Sequence, residues 1–281
     1  GSEMCIRDRI FISCAYAKLN VRIIGSDPGV TAAYNGGTHM PFEDMGTLMS
    51  IPQITLLEPT DSAQLKWMIQ ELENAYGVYY IRLLRKNAVG VFEEGSKFQM
   101  GKIARLKEGK DVAIVASGIM VAEALKAAAA LEEKGISAAV LNAFTWKPLD
   151  GETLAKYSKQ CGCIVTAENH NIIGGLHSAV CEALAQEKVP VSAVGINDRF
   201  GEVGKLPYLR EAFGLTKEDI KKAMVERLKT VYKVPWFSET GATYQVQFSI
   251  LKDEVTIVID TTGAGLHKRG YRLKANDAPI K

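Results

Sequence analysis

Short apolar runs alternate with amphipathic runs along residues 10–220, and this order restricts the possible folds more than any other feature. Runs of strand type lie at 20–25, 54–59, 78–84, 112–117, 137–142, 163–166 and 191–196. Runs of helical period lie between them at 63–76, 121–134, 151–159 and 175–186. Repeated strand–helix–strand order with right-handed crossovers predicts an α/β fold with parallel sheets, whose ligands bind beyond the carboxyl ends of the strands.

The polar segment 93–110 divides this pattern and is predicted to be a linker between two α/β domains, at 10–92 and 111–220. The second of these has the order of a small doubly wound domain. Residues 221–281 are predicted to form a short α+β tail, with strands at 244–252 and 255–259. Residues 1–9 do not fit the pattern; they resemble translated adapter sequence and are interpreted as foreign, the alternative being a frayed amino terminus.

Composition excludes several classes of protein. The 34 basic and 32 acidic side chains give a formal charge of +2, so no overall field favours nucleic acid or a membrane surface. No apolar run approaches the roughly 20 residues of a membrane span, and no signal peptide is apparent. The 5 cysteines are an odd number without paired spacing, and the Cys161-Gly-Cys163 pair is interpreted as small residues entering a strand rather than as half of a metal site. We therefore expect a cytoplasmic protein.

The loop after the first strand carries the first candidate site. The strand breaks at Gly25-Ser-Asp-Pro-Gly29, passes two glycines, and delivers Thr38 and His39 just ahead of a helical run. Glycine permits close approach of backbone and ligand, so a histidine at this position is a candidate for contact with a ligand. Arg85 follows the strand at 78–84 and is the second candidate; the alternative is a surface arginine paired with a carboxylate.

Two groups of motifs resemble the thiamine-diphosphate-dependent transketolase family. Thr38-His39 with Phe42-Glu43-Asp44, and the string Ile81-Arg-Leu-Leu-Arg85, resemble its pyrimidine-binding domain. The stretches 144–150 (FTWKPLD) and 166–176 (TAENHNIIGGL) resemble its C-terminal domain. The resemblance implies a truncated thiamine-diphosphate-binding-fold parallel sheet followed by a doubly wound transketolase C-terminal domain.

The resemblance also implies a reaction, in which a two-carbon ketol unit moves between sugars. His39 would donate hydrogen bonds to the substrate and shuttle a proton, Arg85 would bind the anionic end, and Asn35 would orient a hydroxyl. Asp27 stands where the family usually has a histidine, and Asn35 where it usually has an aspartate. These departures imply an unusual substrate, with branched and sulfonated sugars as candidates.

A partner follows from what the matching region lacks. The resemblance covers neither the glutamate that activates the cofactor nor a Gly-Asp-Gly metal motif. Thiamine diphosphate with magnesium would therefore be shared with an N-terminal transketolase subunit, in a homo- or hetero-oligomer, and we expect the chain to bind no cofactor and to be inactive alone. A non-catalytic α/β dimerisation module is an alternative.

The Glu168-Asn-His170 string, at a strand end beside Gly174-Gly175, allows two interpretations. A carboxylate, an amide and an imidazole suit a catalytic site, but in the transketolase family this domain mainly packs subunits together. We expect a structural role for Glu168 and His170, and a packed or surface position for His177.

The tail resembles a different family. The string 260–272 (DTTGAGLHKRGYR) resembles the join between the THUMP and methyltransferase domains of ribosomal-RNA guanine methyltransferases. Lys268, Arg269 and Arg272 are candidate RNA-binding residues, the alternative being a solvated face. The interpretation is a chimera joined near residues 220–225, and RNA binding by the tail is a second candidate function.

Overall fold

The computed structural model describes residues 6–232, 245–251 and 254–260, in two compact units divided between Lys233 and Val234. The strands are β1 (Val21–Ser26), β2 (Ile54–Leu57), β3 (Val78–Leu83), β4 (Ala104–Lys107), β5 (Val112–Ala116), β6 (Ala138–Asn142), β7 (Thr145–Lys147), β8 (Ile164–Asn171), β9 (Val191–Ile196), β10 (Gln245–Leu251) and β11 (Glu254–Asp260). The α-helices are α1 (Ile6–Arg9), α2 (Asp44–Met49), α3 (Ser62–Glu73), α4 (Met120–Glu132), α5 (Gly151–Cys161), α6 (Leu176–Ala183), α7 (Leu206–Ala212) and α8 (Lys217–Tyr232). A π-helix (Ile10–Tyr16) and two 3-10 helices (Gly29–Asn35 and Gly37–His39) complete them. None of the described helices is both long and apolar enough to cross a membrane.

Local sequence signals explain where the main helices begin and end. The Asp61 carboxylate accepts a hydrogen bond from the Gln64 backbone N–H at 2.9 Å and so caps the start of α3. Asp150 caps α5 in the same way, through the Thr153 N–H at 3.2 Å. Gly162 ends α5 with a φ of 67°, the left-handed conformation that glycine adopts most readily.

The first sheet has the order β1-β3-β2-β7. Its strands β1, β3 and β2 are parallel, as the sequence predicts, whereas β7 lies antiparallel to β2. Because β7 follows β6 of the second sheet, both predicted domains contribute to this sheet. The Lys147 ammonium strengthens the connection by donating to the Met49 carbonyl at 2.6 Å.

The second sheet has the order β4-β6-β5-β8-β9, with β6, β5, β8 and β9 parallel. Strand β5 is buried along its whole length, which explains its continuous apolar sequence. The edge strand β4 is antiparallel to β6 and lies inside segment 93–110. The prediction of a linker over this whole segment was therefore wrong, because β4 is short and more polar than its neighbours.

The helix α8 corrects the predicted domain boundary at residue 220. It continues to Tyr232, and its buried side chains Ile220, Met224 and Leu228 recur every four residues along one face. The Arg227 guanidinium donates to the Ser192 hydroxyl at 2.8 Å, which joins the helix to β9. The first compact unit therefore includes the residues just after 220.

The second compact unit contains an antiparallel pair, β10 and β11, in which Leu251 lies opposite Glu254. This arrangement confirms the two strands that the alternating tail sequence predicts.

Candidate functional site

The site begins at the carboxyl ends of two neighbouring parallel strands, β1 and β3. Their last residues, Ser26 and Leu83, are paired in register, and the Asp27 N–H donates to the Leu83 carbonyl at 3.0 Å. Asp27 and Arg85 then form an ion pair, with 3.2 Å between Oδ2 and Nε. The Asp27 side chain is only 10% exposed, whereas that of Arg85 is 61% exposed. The pair thus joins a buried carboxylate to a guanidinium that faces solvent.

The backbone of the following loop is held in unusual conformations. Asp27 has a φ of 59°, and Ala33 has φ 51° and ψ −113° inside the first 3-10 helix. Non-glycine residues adopt positive φ rarely and at a cost, and they persist where the surroundings determine the backbone. The segment from Gly29 to Ala33 is fully buried, so packing supplies that constraint.

Asn35 and His39 lie on this loop, at the ends of the two 3-10 helices, and both are exposed. The His39 Nδ1 lies 2.9 Å from the Thr38 hydroxyl, which leaves Nε2 directed elsewhere. Neither residue has a hydrogen bond or ion pair to Asp27 or Arg85 within the described part of the chain. The structure thus brings together two of the four predicted substrate-site residues and places the other two on the same surface loop.

A cleft of about 740 Å³ opens beside the second 3-10 helix. Its lining comes from the loop, from the end of β8 and from the segment after β9, and includes Thr38, Met40, Phe42, Glu43, Asn171, Asp198, Arg199 and Phe200. The Arg199 guanidinium lies 4.2 Å from the centre of the Phe213 ring and donates to the Ala212 carbonyl. The walls of this cleft therefore come from both predicted domains, 10–92 and 111–220.

Arg82, on β3, holds the base of the site together. Its side chain is fully buried; Nε lies 3.0 Å from Asp44, and Nη1 donates to Glu58 at 2.8 Å. Nη2 donates to the carbonyl oxygens of Pro41 and Asn169, each at 3.0 Å. One guanidinium thus connects the first sheet, the loop that carries His39, and β8.

This buried ion cluster shifts the pKa values of its members. Burial alone would lower the pKa of Arg82, but the carboxylates of Asp44 and Glu58 outweigh it and raise that pKa. Burial would likewise raise the pKa of Asp44, yet Arg82 and then His170 hold it below its usual value. The pKa of Tyr80, which donates to Asp44 at 2.8 Å, is raised by burial and by that carboxylate. Arg82 and Asp44 therefore stay ionised near neutral pH, and Tyr80 stays neutral.

Asn169, on β8, fixes the loop from the other half of the unit. Its Oδ1 accepts from the Val30 N–H at 3.0 Å, and its Nδ2 donates to the Pro28 carbonyl at 2.8 Å. A Cβ atom on Gly29 would lie 2.3 Å from Asn169 Oδ1, so glycine is required there. Asn169 is therefore a positioning residue for the loop that begins with Asp27.

The two neighbours of Asn169 also make structural contacts, which support the interpretation made from sequence. Glu168 is buried and accepts from the backbone N–H groups of Leu176 and His177 at the start of α6, and burial raises its pKa to about 8. His170 Nδ1 donates to the Asn171 carbonyl at 2.7 Å, while Nε2 accepts from the Gly46 N–H at 3.3 Å. Burial, then Arg82, lowers the pKa of His170 to about 4, so the ring is neutral.

The other residues singled out in the sequence are packed or lie outside the described residues. His177 is half-buried and lies 3.2 Å from the Thr166 hydroxyl. Cys161 and Cys163 are buried, and burial raises their thiol pKa values to about 12 and about 11. Lys268, Arg269 and Arg272 lie outside the described residues, so RNA binding by the tail stays a prediction.

Sequence reasoning missed Arg82, and it singled out Asn169 only as the amide of the Glu168-Asn-His170 string and not as a positioning residue for the loop. Arg82 interrupts an otherwise apolar and aromatic strand, VYYIRL, and a lone charge in a strand buried on both faces indicates a paired internal ion. Asn169 gave no comparable signal, because its partners are backbone groups about 140 positions away in the chain.

Comparisons with known proteins bear on the whole arrangement. The family model of the transketolase C-terminal domain matches residues 101–220. The chain is 50% identical over 220 residues to the 6-deoxy-6-sulfo-D-fructose transketolase subunit SqwH of Clostridium sp. strain MSTE9, covering 78% of this chain and 68% of that protein. It is 33% identical to one of the subunits of the apulose-4-phosphate transketolase of Phocaeicola vulgatus, covering 79% of this chain and 72% of that protein.

A solved structure gives the same result for the fold. It is described as a split gene transketolase in an inactive beta4 tetramer, and it matches with a TM-score of 0.73 and 39% identity, over 80% of this chain and 73% of that one. The mixed α/β architecture with parallel sheets agrees with it. The chain belongs to the transketolase family.

Proposed function

We propose that this chain is the C-terminal subunit of a split transketolase, which transfers a two-carbon ketol unit between sugars together with a second polypeptide. One observation carries the proposal: Asp27 and Arg85 form an ion pair just beyond the carboxyl ends of adjacent parallel strands, where open α/β sheets bind ligands, and the loop that follows Asp27 carries Asn35 and His39. The similarity to subunits of split transketolases supports the same assignment.

His39 is the proposed catalytic residue of this chain. Its imidazole is exposed, and its Nδ1 is engaged with Thr38 Oγ1, so Nε2 can face a bound sugar. Imidazole exchanges protons near neutral pH and donates hydrogen bonds to a carbonyl or hydroxyl group. His39 would hold the substrate oxygen and move a proton at it.

Arg85 and Asn35 are the proposed substrate-binding residues. The exposed guanidinium of Arg85 offers its η-nitrogens to the anionic end of a sugar, through paired charge-assisted hydrogen bonds. Asn35, exposed on the first 3-10 helix, would orient a hydroxyl group with its amide.

Thiamine diphosphate is the cofactor of this proposal and supplies the carbon–carbon bond chemistry. It would be shared with an N-terminal subunit that holds the diphosphate and magnesium. Within the described part of the chain, no group of three or more His, Cys, Asp and Glu side chains could hold a metal ion.

The proposed substrate is a sugar with an anionic end. The Clostridium relative is named for a 6-deoxy-6-sulfo ketose, and the P. vulgatus relative is named for a phosphorylated sugar. The higher identity to the former, 50% against 33%, supports a sulfonated sugar for this chain.

Variant kinetics of the two-subunit enzyme test these roles. His39→Asn should lower kcat about 100-fold, the usual contribution of a positioned acid–base group. Arg85→Ala should instead raise KM about tenfold and change kcat little, because an anion contact is made equally in the ground and transition states. Lys97→Ala, an exposed cation away from the loop, should change neither constant. Unchanged kinetics in both site variants would reject the assignment.

A further inference from the structure

We propose that Asp27 makes the site selective for a sugar whose anionic end carries a single negative charge, as a sulfonate does, over one that carries a phosphate. The inference rests on the proposed function and deepens it by assigning substrate selectivity to one residue. It starts from the position of the Asp27 carboxylate, 3.2 Å from Arg85 Nε and 10% exposed.

Stability does not explain why an aspartate occupies this position. Its Oδ1 is buried and has no hydrogen-bond partner among the described residues, and a buried acceptor left unpaired is costly. Its partner Arg85 is 61% exposed, and ion pairs with a solvated member contribute little. Because Asp27 carries this cost and gains little in folding, its charge is explained by an effect on a ligand.

The ion pair changes what the exposed guanidinium can bind. Alone, Arg85 presents one full positive charge to an incoming anion. With Asp27 beside it, the pair has no net charge, although Nη1 and Nη2 still donate hydrogen bonds. Neither of these nitrogens contacts another charged group in the described part of the chain. The site therefore keeps its hydrogen-bond donors and loses most of its electrostatic attraction for an anion.

A monoanion and a dianion respond differently to such a site. A phosphate ester carries about −1.5 to −2 charges at pH 7, whereas a sulfonate carries one. Repulsion by Asp27 grows in proportion to the charge of the ligand, and the cost of removing water from the ligand grows faster than its charge. Both oxyanions can accept hydrogen bonds from the same guanidinium edge. The balance therefore favours the sulfonate.

Asp27→Asn is a close structural match for the test. The side chain keeps its shape and loses its charge, and asparagine tolerates positive φ as well as aspartate does. Asp27→Gly is a second variant, since glycine adopts positive φ without strain. Asp8→Asn is the matched control, because Asp8 also pairs with an arginine, Arg7, at 3.1 Å, but it lies on α1 and not on the cleft.

The experiment uses the two-subunit enzyme with fructose 6-phosphate and 6-deoxy-6-sulfofructose as alternative donors and one common acceptor. The wild type should have a higher kcat/KM for the sulfonate. Asp27→Asn and Asp27→Gly should each lower the sulfonate-to-phosphate ratio of kcat/KM about tenfold, the effect of one partly screened charge, mainly by improving the phosphate. Asp8→Asn should leave the ratio unchanged.

Binding of the same two sugars by calorimetry separates this inference from the proposed function. If the enzyme turns over neither sugar but binds both, the proposed function fails, and the ratio of Kd values in the wild type and Asp27→Asn still decides the inference. An unchanged ratio in both Asp27 variants, a wild-type preference for phosphate, or no binding of either sugar would overturn it.

Discussion

Asn169 connects two parts of the chain that are far apart in sequence. Its amide satisfies one N–H and one carbonyl of the strained loop, at Val30 and Pro28, and its own carbonyl accepts from Arg82. Arg82 in turn bonds to the Pro41 carbonyl near the other end of the loop. At the scale of single residues, two buried side chains therefore determine where Asp27 and His39 lie.

Replacing Asn169 with alanine leaves the buried Val30 N–H without its partner, whereas the Pro28 carbonyl still accepts from the Thr31 N–H at 3.1 Å. We expect Asn169→Ala to lower the free energy of unfolding by about 1–3 kcal/mol, measured by urea denaturation. Asn171→Ala is the control, because the Asn171 side chain accepts one exposed bond, from the Ile173 N–H, and should cost less than about 1 kcal/mol. Equal stability of the two variants would contradict the positioning role.

Replacing Arg82 with alanine leaves the carboxylates of Asp44 and Glu58 buried without their cation. The expected loss in the free energy of unfolding is about 3–5 kcal/mol, as for other broken internal ion pairs. Arg85→Ala, three positions along the same segment, should cost less than about 1 kcal/mol because Arg85 is largely exposed. A similar loss in both variants would show that Arg82 does not hold the site together.

Strand β8 is the element that joins the two sheets to the site. It lies beside β5 and β9 in the second sheet, and its last residues contact α2, α6 and the loop after β1. Three consecutive polar side chains, Glu168 to His170, are buried on it, each with hydrogen-bond partners. The protonation of Glu168 and of His170 therefore affects the stability of the fold.

His170 should make stability depend on pH in a defined window. Its pKa is lowered from 6.5 to about 4 in the folded state, so below pH 6.5 the unfolded chain binds the proton more readily. The contribution of His170 is present above pH 6.5 and is lost as pH falls toward 4, at up to about 1.4 kcal/mol per pH unit.

A comparison of variants isolates this effect, because the raised pKa of Glu168 acts with the opposite sign between pH 4.5 and 8. The difference in unfolding free energy between wild type and His170→Asn should be largest near pH 7.5 and should shrink on acidification to pH 4.5. A difference that is independent of pH would show that His170 does not titrate as its burial implies.

Elements with strong local signals were predictable from the sequence, and elements defined by distant pairing were not. The strands β2 and β9 and the helices α3 and α5 follow from apolar runs and capping residues near their ends. Strands β4 and β7 are short and pair antiparallel with strands that are distant in the sequence, so no local pattern marks them.

The same distinction between local and distant signals applies to the residues of the candidate site. The places of Asp27 and Arg85 just after strands were predictable, but their ion pair depends on the register of β1 and β3, and their roles in a site stay predictions.

At the scale of the molecule, one compact unit runs through the predicted boundary at residue 220 and ends at Lys233. The Clostridium and P. vulgatus relatives match over 78% and 79% of the chain, in keeping with a family region that fills most of this unit. Helix α8 packs against β9 of the second sheet and against helix α4.

Shortening the chain tests this boundary. A chain that ends after Lys233 keeps Met224, Arg227 and Leu228. Its urea midpoint should therefore equal the midpoint at which the first compact unit unfolds in the full chain. A chain that ends after Ile220 loses the buried side chains of Met224 and Leu228 and should be less stable by about 4 kcal/mol or more. Equal stability of the two shortened chains would place the boundary at residue 220 after all.

The most direct test of the central claim is reconstitution of ketol transfer from separate polypeptides. The chain is mixed with the N-terminal transketolase subunit from the same source, with thiamine diphosphate, magnesium, a ketose donor and an aldose acceptor, and both sugar products are quantified. We predict that product forms only when both polypeptides and the cofactor are present, and that His39→Asn nearly abolishes it. Full activity of the N-terminal polypeptide without this chain, or activity of the mixture without thiamine diphosphate, would contradict the account.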